Sequence, residues 1–396
     1  MENRWRSLVN SGVLRGLVLY IPVGQKILGS MSNGISSLLS FANVGIEFLF
    51  GNLVKNNFIF AFKVLPLIIF ISALIALLYH LGIMQWVIKI IGGALQRMLG
   101  TSRAESLVVT GNIFLSQAES PLLVRPFLSR MTRSELFMVM TGGMASVAGS
   151  VLGGYVGLGV ELKYLIAASF MAAPGSILMA KILIPETHKA EETTAEGHLD
   201  HIELEKSEYS NSIDALAAGA MNGMKVAVAI GTMLLAFVSV IAVANAGLET
   251  VGHWFGHLAG ELGMTSTADW FKHNAFSMQL ILGYLFSPIA YIIGVPTHEM
   301  LQAGSFIGQK LVLNEFVAFQ EFGAIKDTLS SHTQVIVTFA LCGFANIGSI
   351  AIQIGSIGAM APERRKDVAN MGFKAVLAAT LANLMSAALA GIFVTL

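Results

Sequence analysis

Two acidic segments in an otherwise apolar sequence carry the side chains that could do chemistry. Glu119 lies in the polar segment 111–121, and Glu315 lies in the motif Asn314-Glu315-Phe316. A carboxylate at membrane depth costs roughly 2.5 to 3.5 kcal/mol on insertion scales, so both glutamates are expected to face one polar cavity. The alternative is that both sit at solvated hairpin tips, which the strongly apolar flanking residues disfavour.

The chemistry of these segments suits a neutral solute that carries hydroxyl groups. Paired carboxylates accept charge-assisted hydrogen bonds from vicinal hydroxyls. Gln117 and Asn346 offer matched donors and acceptors for an amide-like ring edge, and Phe344 offers an aromatic face. A ribose that bears a base satisfies all three groups, whereas an anionic solute would be repelled by Glu119 and Glu315.

Small residues interrupt two apolar segments at 141–150 and 342–349. Each glycine weakens a helix by close to 1 kcal/mol, and an unwound helix exposes carbonyls that can coordinate a cation. Close helix packing through small residues is the competing interpretation. Ser146 and Asn346 occupy equivalent places in the two interruptions, beside the two glutamate segments, and this favours a binding site.

The composition identifies the surroundings of these segments. The chain has 396 residues, of which 55% are hydrophobic and 12% are charged, about half the charge of a soluble domain. This is the composition of a polytopic membrane protein. Its net charge of zero argues against nucleic acid as a partner. The single cysteine, Cys342, excludes an internal disulfide.

Apolar runs near 20 residues long predict seven membrane crossings. They lie at about 10–29, 57–80, 134–158, 164–184, 224–247, 334–358 and 371–394. Two further stretches, 84–100 and 278–294, are amphipathic or broken by Pro288, and are predicted to be interfacial helices. Residues 33–50 are predicted to form another short surface helix.

Arginines in short connections predict the orientation, because basic residues are retained on the cytoplasmic side. With the crossings counted above, they place the N-terminus in the cytoplasm and the C-terminus outside. The long polar stretch 185–214 then lies on the inner face, and its acidic residues favour a solvated linker. His198 and His201 lie within it, but without a second pair of ligands a metal site is disfavoured.

An internal repeat relates the two halves of the chain. Residues 84–107 align with 278–301 at a constant shift of 194, residues 143–147 with 343–347 at 200, and residues 165–169 with 376–380 at 211. Three predicted crossings separate the two starts, so the second copy is expected to be inverted, as in secondary transporters. Residues 101–131 and 297–329 are too polar for two spans each and are predicted to be re-entrant hairpins. The predicted fold is therefore an all-α polytopic membrane protein, an inverted repeat with two re-entrant hairpins, broken spanning helices and interfacial helices.

The chain resembles the concentrative nucleoside transporter family over nearly its whole length. Four motifs carry the resemblance, in the same order as in the family: Gln117-Ala118-Glu119-Ser120-Pro121, Thr141-Gly142-Gly143, Asn314-Glu315-Phe316 and Cys342-Gly343-Phe344-Ala345-Asn346. The family couples inward nucleoside transport to a sodium or proton gradient, forms a homotrimer, and moves a transport domain against a fixed scaffold. The resemblance implies these properties for this chain, together with a place in a bacterial plasma membrane.

The resemblance also implies roles for individual residues. The residues expected to contact the nucleoside are Gln117, Ala118, Glu119, Val151, Glu315, Phe344, Asn346 and Ser349. Sodium is expected at Asn112, Ser146 and the carbonyls of Leu115 and Val147, all of them oxygen ligands suited to a hard cation. One departure is Ala118, which stands where the family usually has threonine, so the base preference is open.

The expected function is sodium-coupled nucleoside import by an elevator mechanism, with pyrimidine nucleosides such as uridine favoured. The expected domains are a scaffold (1–83 and 215–250), two transport-domain repeats (84–187 and 251–396) and an acidic linker (188–214). Retention of Asn112 and Ser146 favours sodium over protons. A proton-coupled symporter, a passive channel and a membrane-embedded enzyme with Glu119 and Glu315 as acid and base are the alternatives.

Overall fold

The computed structural model describes residues 22–55, 59–187, 209–274 and 276–395. These residues are almost entirely helical and contain no strand, which confirms the predicted all-α class. Five helical stretches among them are long and apolar enough to cross a membrane: Phe60–His80, Arg133–Gly157, Leu162–Leu183, Ser212–Glu261 and Pro362–Val394. Most of the predicted acidic linker, with His198 and His201, lies outside the described residues.

The N-terminal helices precede the first repeat. They are α1 (Pro22–Phe50), a short helix (Asn52–Lys55) and α2 (Phe60–His80). The prediction of a separate surface helix at 33–50 is wrong, because these residues continue α1 without a break. No proline follows Pro22 in α1, and isolated glycines such as Gly29 and Gly34 weaken a helix without ending it. The first predicted crossing overlaps α1 only from Pro22 onward, and its earlier part lies outside the described residues.

The first repeat begins after a left-handed glycine, Gly82. Its helices are α3 (Ile83–Leu99), α4 (Arg103–Gly111), α5 (Arg133–Ala145), α6 (Gly149–Gly157) and α7 (Leu162–Leu183), with a 3₁₀ helix at Ser120–Phe127. Two capping boxes start α4 and α5, formed by Ser102 with Glu105 and by Thr132 with Glu135. The helix pair α4 and Ser120–Phe127 forms the first hairpin, and α5 and α6 are the two halves of the predicted broken span.

The second repeat follows a long scaffold helix, α8 (Ser212–Glu261), and the short α9 (Thr265–His273). Its helices are α10 (Met278–Ile292), α11 (Met300–Val312), α12 (Glu315–Ile325), α13 (Ser331–Leu341), α14 (Ile347–Met360) and α15 (Arg365–Thr395), with 3₁₀ turns at Lys326–Thr328 and Pro362–Arg364. The order of elements repeats that of the first half: one helix, a hairpin, a broken helix and a long helix. Helix α8 is much longer than the predicted span 224–247, so the expected domain boundary at residue 250 lies inside it.

Two hydrophobic clusters show how the repeats are combined. One cluster unites the first hairpin and α5 with residues of α14, and the other unites the second hairpin and α13 with residues of α6. Each hairpin therefore packs on the first half of its own broken helix and on the second half of the other one. This exchange brings both helix breaks to the middle of the molecule. Helices α2 and α8 pack along each other beside them, and Ile68, Leu234 and Ile241 join the cluster of the second hairpin.

Candidate solute-binding site

The two helix breaks contact each other directly. Helix α5 ends at Ala145, where Ser146 becomes extended, and α13 ends at Leu341. The backbone N–H of Phe344 donates to the carbonyl of Ser146 at 3.2 Å. Asn383 of α15 joins both breaks, because its Nδ2 donates to the carbonyl oxygens of Ala145 at 2.7 Å and Cys342 at 3.1 Å. These bonds satisfy carbonyls that each broken helix leaves without a helical partner.

Gly343 permits this close approach. A Cβ atom at Gly343 would lie 2.6 Å from the carbonyl oxygen of Ala145 and closer still to Oδ1 of Asn383. Any larger residue would therefore push the two breaks apart.

A buried lysine of the second hairpin also forms hydrogen bonds at the break between α13 and α14. Lys310 is 3% exposed, and its Nζ donates to the carbonyl of Ala340 and to Oδ1 of Asn383, each at 2.8 Å. The ammonium group thus neutralises the C-terminal end of α13, where the helix dipole is negative. It also interacts electrostatically with the carboxylate of Glu315.

The first hairpin contacts the breaks through its irregular tip. The carbonyl of Phe114 accepts from the N–H of Gly149, which begins α6, at 3.0 Å. Nε2 of Gln117 donates to the hydroxyl of Ser349 in α14 at 2.9 Å.

Glu119 of the same hairpin is exposed, and one of its carboxylate oxygens accepts from the backbone N–H (3.0 Å) and hydroxyl (2.9 Å) of Ser116. These two hydrogen bonds of Glu119 thus come from its own turn.

Glu315 is held in a different way. It is the first residue of α12, where the helix dipole favours a negative charge, and Asn314 caps that helix. Glu315 is 3% exposed, and each of its carboxylate oxygens has a partner. Tyr155 of α6 donates its hydroxyl to Oε1 at 3.1 Å, and Asn346 donates Nδ2 to Oε2 at 3.3 Å.

A single cavity of about 720 Å³ joins the two hairpins and the two breaks. All the residues expected to contact a nucleoside line it: Gln117, Ala118, Glu119, Val151, Glu315, Phe344, Asn346 and Ser349. The opposite wall consists of α2 and α8, which contribute polar side chains such as Ser72 and Asn222 among apolar ones. Both glutamates therefore face the same cavity, one from each repeat.

The residues expected to hold sodium lie around the contact between the first hairpin and the first break. Asn112 is completely buried, and neither its Oδ1 nor its Nδ2 has a hydrogen-bond partner among the described residues. A Cβ at Gly142 would lie 3.2 Å from Nδ2 of Asn112, and the hydroxyl of Ser146 donates to the carbonyl of Gly142 at 3.0 Å. Asn112 and Ser146 therefore both flank Gly142. Leu115 and Val147 lie beside them in the irregular segments after α4 and α5.

Sequence reasoning missed four side chains that organise this site: Tyr155, Lys310, Gln353 and Asn383. A signal existed for three of them, because Lys310, Gln353 and Asn383 are polar residues in segments predicted to lie within the bilayer. Tyr155 carried no such signal, since its role depends on a partner far away in the sequence.

Comparisons with known proteins agree along the whole chain. Three family descriptions match it: "Na+ dependent nucleoside transporter N-terminus" over residues 8–53, "Nucleoside recognition" over 61–161 and "Na+ dependent nucleoside transporter C-terminus" over 164–391. The chain is 50% identical over 380 residues to "Uncharacterized transporter YutK" of Bacillus subtilis, covering 96% of this chain and 89% of that protein. It is 44% identical over 409 residues to "Nucleoside permease NupC" of Helicobacter pylori, covering 99% and 92%.

A solved structure has the same fold. The structure of CNTnw in an inward-facing substrate-bound state is 49% identical in sequence and superimposes with a TM-score of 0.86, covering 98% of this chain and 91% of that one.

Proposed function

The chain belongs to the concentrative (Na⁺-dependent) nucleoside transporter family, and from this premise we propose that it is a sodium-coupled symporter that imports nucleosides. Pyrimidine nucleosides such as uridine are the favoured cargo. The family consists of transporters rather than enzymes, so the role of Glu119 and Glu315 as an acid and base pair is set aside.

Residues on the two sides of the cavity would bind different parts of the nucleoside. Glu315, Asn346 and Ser349 would bind the ribose, because a buried carboxylate accepts strong hydrogen bonds from hydroxyl groups. The first hairpin, with Gln117, Ala118 and Glu119, and Val151 of α6 would face the base. The ring of Phe344 would pack against the solute.

The buried carboxamide of Asn112 is the observation that carries the sodium assignment. A completely buried amide without a hydrogen-bond partner costs free energy unless a ligand satisfies it. Its Oδ1, the hydroxyl of Ser146 and the carbonyls of Leu115 and Val147 are hard oxygen ligands, which suit Na⁺. A sodium ion there would tie the tip of the first hairpin to the break between α5 and α6, and so stabilise the nucleoside site. Because binding free energies are reciprocal, bound nucleoside would raise sodium affinity by the same factor.

Movement of the site would follow an elevator mechanism. The transport domain would contain the two repeats, 84–187 and 251–396, and would move against a scaffold formed by 1–83 and 215–250. In support, the cavity lies between the hairpins on one side and α2 and α8 on the other. An empty cavity gives the carboxylates of Glu119 and Glu315 no hydrogen bonds from a solute, so moving it across the bilayer is costly. Sodium and nucleoside together would lower that cost and couple the two fluxes.

The membrane arrangement completes the proposal. The protein would be a homotrimer in a bacterial plasma membrane, with a cytoplasmic N-terminus and an external C-terminus. Helices α1 and α8 expose large apolar side chains such as Phe48 and Leu235, which lipid or neighbouring protomers would cover.

Uptake of radiolabelled uridine into proteoliposomes tests the function. We expect uridine to accumulate above its external concentration under an inward sodium gradient, and not under an inward proton gradient in sodium-free buffer. Accumulation with the proton gradient alone would support the proton-coupled alternative. Equilibration that ignores both gradients would indicate a passive channel, and absence of any uridine counterflow would overturn nucleoside transport. The empty liposome and the Glu315→Gln variant are the controls.

A further inference from the structure

Gln353 is a buried polar side chain that lies behind the candidate site and has no role in the mechanism above. It belongs to α14 and is 1% exposed, and it is not among the residues that line the cavity. A carboxamide in such a place needs hydrogen-bond partners to offset its desolvation. Hydrogen bonds from its Nε2 lead to α5 and to the first hairpin.

The bonds of Gln353 determine which way its carboxamide points. Its Nε2 donates to the carbonyl of Met140 at 2.9 Å. A backbone carbonyl can only accept, so the opposite orientation of the carboxamide would set two oxygen atoms against each other. The second hydrogen on the same Nε2 is then directed to Oε1 of Gln117, at 3.4 Å.

The orientation of Gln117 follows from that of Gln353. Since Oε1 of Gln117 accepts from Gln353, its Nε2 must face the other way, where it donates to the hydroxyl of Ser349 at 2.9 Å. That hydroxyl in turn donates to the carbonyl of Phe344 at 2.5 Å. The series therefore runs in one direction, from Gln353 through Gln117 and Ser349 to the Phe344 carbonyl.

Gly143 allows the two glutamines to meet. A Cβ at Gly143 would lie 3.0 Å from Nε2 of Gln353 and 3.0 Å from Cβ of Gln117. Both side chains thus pass close over this glycine, where another residue would crowd them.

Gln117 and Ser349 line the cavity, and the bonds between them determine what Gln117 can offer a base. The single hydrogen of the Ser349 hydroxyl is used by Phe344, and Oε1 of Gln117 is turned toward Gln353. The one hydrogen of these two side chains that the bonds above leave unused is the second N–H of Gln117, which is a donor. A keto oxygen on the base can accept from it, whereas an exocyclic amino group would present a donor to a donor.

We infer that Gln353 is a positioning residue for base selectivity: it holds Gln117 as a hydrogen-bond donor, so that nucleosides with a keto oxygen at this edge bind in preference to their amino counterparts. The inference rests on the proposed nucleoside transport and specifies the class of substrate. Uridine and inosine are thus preferred to cytidine and adenosine.

Competition for radiolabelled uridine uptake in proteoliposomes tests this inference, with unlabelled uridine, cytidine, inosine and adenosine as inhibitors. For the unaltered protein, we expect the inhibition constant of each amino compound to exceed that of its keto counterpart about tenfold. An amino group at this edge would leave one buried donor without a hydrogen bond, and a loss of that size is typical of one such group. In Gln353→Leu, the Gln117 carboxamide is free to turn and offer its oxygen. The amino-to-keto ratio should then fall toward one in both pairs, although uridine is still taken up.

A matched control is Gln309→Leu, which removes another buried carboxamide, bonded to Ser305 and outside the cavity lining. Its ratio should equal that of the unaltered protein. An unchanged ratio in Gln353→Leu would overturn the inference. Equal affinities of the unaltered protein for all four nucleosides would also overturn it, and that measurement does not depend on the folding of any variant. If none of the four inhibits and no uridine enters, the proposed function fails instead.

Discussion

The two hairpins present the same residue type to the same cavity in opposite ways. Glu119 of the first hairpin is exposed and is held by Ser116 of its own turn. Glu315 of the second hairpin is buried and is held by Tyr155 and Asn346, one from each repeat. The backbone explains the contrast, since Glu315 begins a regular helix whereas Glu119 lies in an irregular segment before a short 3₁₀ helix.

This contrast indicates which side of the site is preformed. The second hairpin has its own fixed cation, Lys310, bonded to the Ala340 carbonyl and to Asn383. The corresponding contact of the first hairpin has the unpartnered Asn112. We therefore expect the second side to be rigid before binding, and the first side to depend on the transported ion.

The largest expected effect is that of Glu315→Gln compared with Glu119→Gln. Replacing Glu315 removes a fixed acceptor of charge-assisted hydrogen bonds, worth about 2–3 kcal/mol, so uridine uptake at low concentration should fall about a hundredfold. The Glu119 variant should lose less, because that side chain is exposed and both its hydrogen bonds come from Ser116 of its own turn. Initial uptake rates, normalised to folded protein by size-exclusion chromatography, provide the measurement. Equal losses in the two variants would contradict the proposed difference between the hairpins.

Equivalent glycines of the two breaks provide the next comparison. In Gly343→Ala, the new methyl group meets the Ala145 carbonyl and Asn383, and we expect the unfolding free energy to fall by about 2 kcal/mol. In Gly143→Ala it meets Gln117 and Gln353, whose side chains can shift, so the loss should be about 1 kcal/mol.

Thermal unfolding in detergent measures both changes. Gly355→Ala is the control, because nothing lies within 4 Å of a Cβ at that position, and its stability should not fall. A Gly143→Ala variant less stable than Gly343→Ala would reverse the order that the packing predicts.

Removal of the Asn112 carboxamide should act on sodium rather than on the nucleoside. In Asn112→Ala and Ser146→Ala, the sodium concentration for half-maximal uridine uptake should rise about tenfold, as expected for one lost ligand oxygen. Ser386→Ala is the matched control for Ser146, since Ser386 is also buried and also donates to the carbonyl four residues earlier. An unchanged sodium requirement in both Asn112→Ala and Ser146→Ala would place the cation elsewhere.

The smallest effect is expected for Tyr155→Phe. It removes one hydrogen bond to Glu315 and leaves the bond from Asn346, so uridine affinity should fall about fivefold. Uridine binding by isothermal titration in saturating sodium measures this change. Unaltered affinity would mean that the Tyr155 hydroxyl does not hold Glu315 in its binding position.

Local and repeated features of this chain were predictable. The hairpins, the breaks near residues 146 and 344 and the interfacial helices followed from apolar run lengths, glycines and the internal repeat, and the described helices agree with them. The helix from Pro22 to Phe50 was divided wrongly: a crossing was predicted to end at residue 29 and a surface helix to begin at 33, whereas the folded backbone continues through both. The chemistry of the residues indicated Gln117, Glu119, Glu315, Phe344 and Asn346 as cavity residues, and the family resemblance added Ala118, Val151 and Ser349; all of them line the cavity.

The sequence by itself determined that the chain lies in a bilayer, that it contains a repeat and that it carries two acidic motifs. These features can be read from the sequence because the free energy of membrane insertion and the helix propensity of a segment depend on residues that are neighbours in the chain. Only the tertiary structure decided that Tyr155 holds Glu315, that Asn383 joins both breaks and that Gln353 orients Gln117. The physical reason is that each repeat packs its hairpin on a half-helix of the other repeat. Hydrogen bonds between groups as far as 238 residues apart leave no periodic pattern in the chain.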